Sequence, residues 1–190
     1  SDLLPIDITV IANQINYVAT QGGSVSVPSE TLTSMDQNPT GSIATPNDGY
    51  YFVNWTDANG EVVSTDPDFV PQSRFSNTYT ANFAELKTAS LTVNYVDGEE
   101  VVATKNYTSE AGIPGQETVF DISLEIPEGY VSVTGIDTIH TTVAYGTSSV
   151  VEVEIEKEKS PETPAEDQPQ EPATPAQTEQ SKEETKKADG

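Results

Sequence analysis

Apolar side chains recur at every second position along most of this chain, a period that selects strands over helices. Ile6, Ile8 and Val10 alternate with polar neighbours, as do Tyr17 with Ala19 and Val25 with Val27. In the stretch 50–55, Tyr50, Phe52 and Asn54 fall on one side and Tyr51, Val53 and Trp55 on the other. Both sides are apolar enough for a strand covered on two faces. Asp57-Ala58-Asn59-Gly60 then reads as a hairpin turn, because Asn and Gly both tolerate positive φ. Glu61-Val62-Val63 returns, and residues 78–83 close the segment with Tyr79, Ala81 and Phe83 on one face. Further on, residues 91–96 alternate into an Asp97-Gly98 turn with residues 99–104 as the return strand. The last strand, residues 150–155, puts Val151, Val153 and Ile155 together. One helical expectation interrupts this pattern. Pro28-Ser29-Glu30 has the chemistry of a helix start, with Leu32 and Met35 as the buried pair of a short helix over residues 28–37. The chain is therefore β-rich, between all-β and α+β.

Composition divides the chain more sharply than its 190 residues suggest. Residues 157–190 contain no Ile, Leu, Val, Met or aromatic side chain but five prolines. Such a segment cannot bury enough surface to offset its ordering entropy, so it is expected to be a disordered Pro/Glu-rich tail. The net charge of −23 is not the tail's doing. The tail carries nine acids and five bases, leaving residues 1–156 with 22 acids against Arg74, Lys87 and Lys105, a net of −19. That surface repels phosphate backbones and anionic membranes, so neither nucleic acid nor a membrane surface is an expected partner. It favours a soluble monomer and welcomes divalent cations. There is no cysteine and hence no disulfide. No apolar run approaches 18 residues, and no export leader or wall-sorting signal is present, so a fragment of a longer protein is expected.

The stretch from Gly49 to Phe83 combines a glycine-aromatic strand, the one tryptophan, a tight turn and a closing Thr-Tyr-Thr-Ala-Asn-Phe. Together with Gly22-Gly23-Ser24-Val25 and Gly41-Ser42-Ile43-Ala44-Thr45-Pro46 upstream, it resembles an internalin-type B repeat in its divergent form, over residues 15–84. Residues 91–156 are similar to a mucin-binding-protein type repeat. The likeness rests on the Tyr95-Val96-Asp97-Gly98 hairpin, Gly112 to Gly115, Ile126-Pro127-Glu128-Gly129-Tyr130 and the closing strand, with a turn shorter than the family's usual one. These resemblances imply two tandem small β-grasp-like modules. Residues 1–14 would lead in or end a preceding module, residues 85–90 would link the two, and the tail would follow. They also imply a non-enzymatic extracellular module of a Gram-positive surface protein, wall-attached or secreted, that contributes to adhesion to a host glycoprotein, mucin or other protein. Two alternatives stand beside adhesion: a passive stalk presenting a distal head, and a carbohydrate-binding accessory domain of a secreted enzyme.

Residues that carry chemistry are sparse. A lone histidine, His140, in an alternating polar strand reads as a surface residue, and without a second His or a Cys there is no zinc-type ligand set. No Gly-x-Ser-x-Gly or phosphate-binding glycine loop occurs. Carboxylate pairs such as Asp66 with Asp68 are too common here to single out a glycosidase pair. No catalytic residue and no organic cofactor is expected. The one metal candidate is calcium on Asp57, Asn59, Glu61 and Asp68, which have the oxygen spacing of a calcium loop. The loop's sixth position is Val62 rather than glycine, however, and its twelfth is an aspartate rather than a glutamate. An Asx turn explains the same residues. Only Lys87 and Lys105 could supply an intramolecular isopeptide bond in the folded part, and neither is placed across a sheet from an asparagine. The expected core anchors are Phe52, Trp55, Tyr79, Phe83, Tyr95 and Tyr130, with truncation of Trp55 costing about 3–5 kcal/mol. Tyr50, Tyr51 and Tyr107 are the candidates for stacking on a sugar ring.

Overall fold

The computed structural model describes residues 12–159, all of them strands, turns and loops without a helix. The leading Ile6, Ile8 and Val10 pattern, and the tail from residue 160 on, lie outside the described residues. Eight strands come first: β1 Asn13–Ala19, β2 Gly23–Val25, β3 Ser29–Leu32, β4 Ser42–Pro46, β5 Tyr50–Thr56, β6 Val62–Ser64, β7 Asp68–Phe69 and β8 Asn77–Glu85. Five of them form one sheet in the order β3-β1-β8-β5-β6, and the other three form a sheet in the order β2-β4-β7. The first and last strands of this group, β1 and β8, pair parallel at the centre, with Tyr17 level with Tyr79. Ile15, Tyr17, Leu32, Ala44, Trp55, Phe69, Tyr79 and Ala81 form the buried cluster of these eight strands.

The second group repeats that arrangement. It comprises β9 Ser90–Asp97, β10 Glu100–Thr108, β11 Glu117–Ser123, β12 Tyr130–Ser132, β13 Thr138–Ala144 and β14 Ser148–Lys157. The main sheet runs β10-β9-β14-β12, again with its first and last strands, β9 and β14, parallel at the centre. A two-stranded ribbon of β11 and β13 contributes Phe120, Ile139 and Val143 to a core shared with Leu91, Val93, Tyr95, Val153 and Ile155. A central parallel pair of this kind needs a crossover that covers the sheet. In both groups β-structure rather than a helix does the covering.

The helix expected over residues 28–37 is replaced by β3. Residues Ser29 to Leu32 pair antiparallel with β1, from Asn16 opposite Ser29 to Asn13 opposite Leu32. Leu32 is buried as expected, but Met35 is 83 % exposed in the turn that follows. A helix of two turns would have had to nucleate without a second buried contact, whereas the open edge of β1 satisfies four residues at once.

The faces of β5 also differ from a strict alternation. Phe52 pairs with Phe83 and Trp55 with Ala81, because a bulge between Phe52 and Asn54 inserts an extra residue. Val53 takes up the extra position and is part-exposed, so Phe52 and Trp55, expected on opposite faces, both turn toward the core. Both hairpin turns shift as well. At Asp57–Gly60 only Gly60 has positive φ, at 82°, and its N–H donates to the Asp57 carbonyl at 2.9 Å. The result is a type I turn closed by a left-handed glycine rather than an Asn-Gly turn of the primed type. In the second hairpin Asp97 pairs with Glu100, so Gly98 and Glu99, not Asp97 and Gly98, are the central residues.

The stretch 85–90 is tied down rather than free. Lys87 and Gly112 exchange both backbone hydrogen bonds at 2.8 Å, and Ala89 is fully buried in the second core.

Candidate functional site

Around the Asp57 turn the side chains lock the backbone first. The Asp57 Oδ1 accepts from the N–H groups of Asn59 at 2.9 Å and Glu61 at 3.0 Å, and the Asp57 N–H donates to the Glu61 carbonyl. Asp66 accepts from the Asp68 N–H at 2.9 Å in the next turn. These are Asx turns, each engaging one carboxylate oxygen. An open groove of about 580 Å³ beside them is lined by Asp57, Ser64, Asp66, Asp68, Asn77 and Tyr79. Of the calcium candidates, Asp57 and Asp68 line it, and Asn59 and Glu61 do not. Among the described residues no group of three or more His, Cys, Asp or Glu is placed to hold a metal ion.

The tyrosines singled out for stacking have three different environments. Tyr50 lies over Gly22, where a Cβ would come within 2.3 Å of its ring. Tyr107 packs against the second core with its hydroxyl buried and without a hydrogen-bond partner. Burial is the chief reason its phenol is pushed above the usual range, with the neighbouring Tyr95 and Glu125 adding to it. Tyr51, half-buried, stands level with Ala84 on the side of β5 opposite Phe52. By its register it faces away from the Trp55 cluster.

The expected anchors divide by depth. Trp55, Tyr79 and Tyr95 are buried, whereas Phe52, Phe83 and Tyr130 pack against the cores from part-buried positions. Trp55 sits edge-on to Tyr17 at 5.9 Å and stacks on Phe69 at 5.3 Å, while its indole N–H donates to the Pro67 carbonyl at 3.1 Å. The Tyr95 hydroxyl accepts from the Glu125 N–H at 2.9 Å, which fixes the crossover loop over the sheet.

Sequence reasoning missed a polar knot at Glu30. Its carboxylate accepts from the Tyr17 hydroxyl at 2.6 Å and from the N–H groups of Thr40 and Gly41, the nearest of these contacts at 3.0 and 3.1 Å. Burial alone would raise the Glu30 pKa, but these hydrogen bonds outweigh it and hold the carboxyl below its usual value. The Tyr17 phenol is pushed up by burial first and by Glu30 second. An acid among polar residues carried no period that would have marked it. Nothing in the geometry makes it reactive, because every contact is structural. His140 faces Asp121 across the β11–β13 ribbon at 3.8 Å, with both side chains exposed. Lys105 pairs with Glu125 at 2.8 Å and Lys87 with Glu85 at 3.3 Å, all partly exposed.

Comparison with known proteins places the first eight strands. Residues 13–87 match the family model of the divergent InlB B-repeat domain. The matched segment begins with β1, ends just beyond β8, and contains the whole Trp55 cluster. Among solved structures, the crystal structure of Mub-RV aligns at 18 % identity and a TM-score of 0.28, covering 78 % of this chain and 99 % of that one. No curated protein matches the chain.

Proposed function

We propose that this chain is a non-enzymatic, extracellular repeat region of a Gram-positive surface protein that contributes to adhesion by contacting a host glycoprotein such as mucin. The observation that carries this reading is the divergent B-repeat match, which spans residues 13–87. The architecture supports it. Each core is closed on itself by two layers of strands, the acidic groove is open, and the exposed area is sheet face and edge. Surfaces of that kind recognise partners by contact rather than by enclosing a reactant. Residues 91–156 belong to the same reading as a second module of the mucin-binding-protein type.

The test is binding of the protein to immobilised mucin and a glycan array at physiological salt, first with calcium and then with chelator. Saturable binding is the expected result. Loss on chelation would support calcium at the Asp57 turn. A blank array with a well-folded protein would overturn adhesion and leave the stalk.

A further inference from the structure

The outer face of the five-stranded sheet carries no charged side chain. On the side of each strand turned away from the Trp55 cluster lie Ser29 and Thr31 of β3, with Gln14, Asn16 and Val18 of β1. Thr78, Thr80, Asn82 and Ala84 of β8 follow, then Tyr51, Asn54 and Thr56 of β5 and Val62 of β6. Registers hold these rows together: Val18 is level with Thr80, Thr80 with Thr56, Asn82 with Asn54, and Thr56 with Val62. The amides are ordered, Asn82 Nδ2 donating to Asn54 Oδ1 at 2.8 Å and to Thr56 Oγ1 at 3.0 Å, while Thr31 Oγ1 donates to Gln14 Oε1 at 2.9 Å. Val18 and Val62 are 43 % and 57 % exposed at the margins of this hydroxyl-and-amide array. Random placement would rarely leave such a face uncharged, because residues 1–156 carry 25 charged side chains with a net of −19.

We infer that this face is a docking surface for an uncharged polysaccharide chain. This deepens the adhesion reading by naming the chemistry contacted. A charged partner would find no counter-ion here, and an anionic glycan would also meet the repulsion of the whole molecule. A neutral sugar incurs neither cost. Its hydroxyls match the amide hydrogens of Asn16, the side-chain oxygen of Asn82, whose Nδ2 is already engaged, and the hydroxyls of Thr78 and Thr80, and its C–H faces match Val18 and the Tyr51 ring. The second sheet carries a shorter version, with Thr92 Oγ1 donating to Asn106 Oδ1 at 2.8 Å and Thr104 Oγ1 to Asn94 Oδ1 at 2.7 Å. There Glu152 lies level with Asn94, and Glu154 follows it along β14, so the neutral area is interrupted. The five-stranded sheet is therefore the one assigned.

Affinity electrophoresis of the full chain through gels containing galactomannan, dextran or polygalacturonate tests this. Retardation by a neutral polymer and none by polygalacturonate is expected. Val18→Glu and Tyr51→Ala should each weaken the association at least about tenfold, with circular dichroism melts showing that both variants are folded. Val119→Glu, on the ribbon of the second group, should leave binding unchanged. No retardation in either neutral gel, or equal retardation of wild type and both face variants, would overturn the assignment. Mucin binding that survives both face substitutions would overturn this surface while leaving adhesion standing. Retardation by a neutral polymer without any mucin binding would do the reverse.

Discussion

At the scale of single residues, two kinds of side chain hold the first eight strands: one aromatic cluster and one hydrogen-bonded acid. Trp55 is fully buried, touches Tyr17 and Phe69, and has its N–H satisfied. Trp55→Ala should cost about 3–5 kcal/mol, much of a typical domain's stability, whereas Tyr51→Ala on the outer face should change it by less than about 0.5 kcal/mol. Urea titrations followed by circular dichroism separate the two. Glu30 and Tyr17 should make stability fall at both ends of the pH scale. A depressed carboxyl contributes above its unfolded value near 4.5, and that contribution disappears as pH falls through the lower folded value. The raised Tyr17 phenol contributes below its ordinary 10.0, and its contribution erodes as pH rises above that point. Melting temperatures of wild type and Glu30→Gln measured from pH 2 to 11 check this. The variant should be less stable at neutral pH and show a flatter acid limb.

At the scale of elements, glycine positions govern how strands meet aromatics. Gly22 has φ near 107° and lies under the Tyr50 ring, and a Cβ on Gly23 would stand 2.3 Å from Phe83. In the second group a Cβ on Gly112 would stand 2.4 Å from the Tyr145 ring. Gly23→Ala should therefore displace Phe83 and cost about 1–3 kcal/mol, as overpacking does. Gly60→Ala meets open space, so its cost, about 1–2 kcal/mol, comes from the left-handed backbone alone. Thermal melts of the two variants, with the near-ultraviolet aromatic signal altered only in Gly23→Ala, distinguish clash from strain. Gly60 was legible in the sequence as a turn residue, and Gly22, Gly23 and Gly112 as motif glycines. Their second use, as floors for aromatic rings, was not, because Tyr50 is 28 residues from Gly22 and Phe83 is 60 from Gly23.

At the scale of the whole molecule, the two buried clusters share no residue. Trp55→Ala should lower one unfolding transition and Tyr95→Ala the other, each leaving its counterpart within about 0.5 kcal/mol. Hydrogen exchange resolved along the sequence would read this directly. Equal loss of protection in both clusters from either substitution would show that they unfold as one unit.

The sequence by itself determined the β-class, because a two-residue period cannot be satisfied on a helix, and it marked Trp55, Tyr79 and Tyr95 as anchors, because burying a large aromatic removes the most apolar area from water. It also determined the acidity of the surface, which is a matter of counting. Tertiary structure decided what depends on partners far along the chain. The open edge of β1 made Ser29 to Leu32 a strand, and the bulge at Val53 put Phe52 on the same face as Trp55. Tertiary structure also decided that Asp57 Oδ1 and Asp66 Oδ1 each close an Asx turn on the backbone N–H groups that follow them. The uncharged face exists only once β3, β1, β8, β5 and β6 lie side by side. Periodicity is a local property that any short window reveals, whereas register is a pairing between windows, and no single strand carries it.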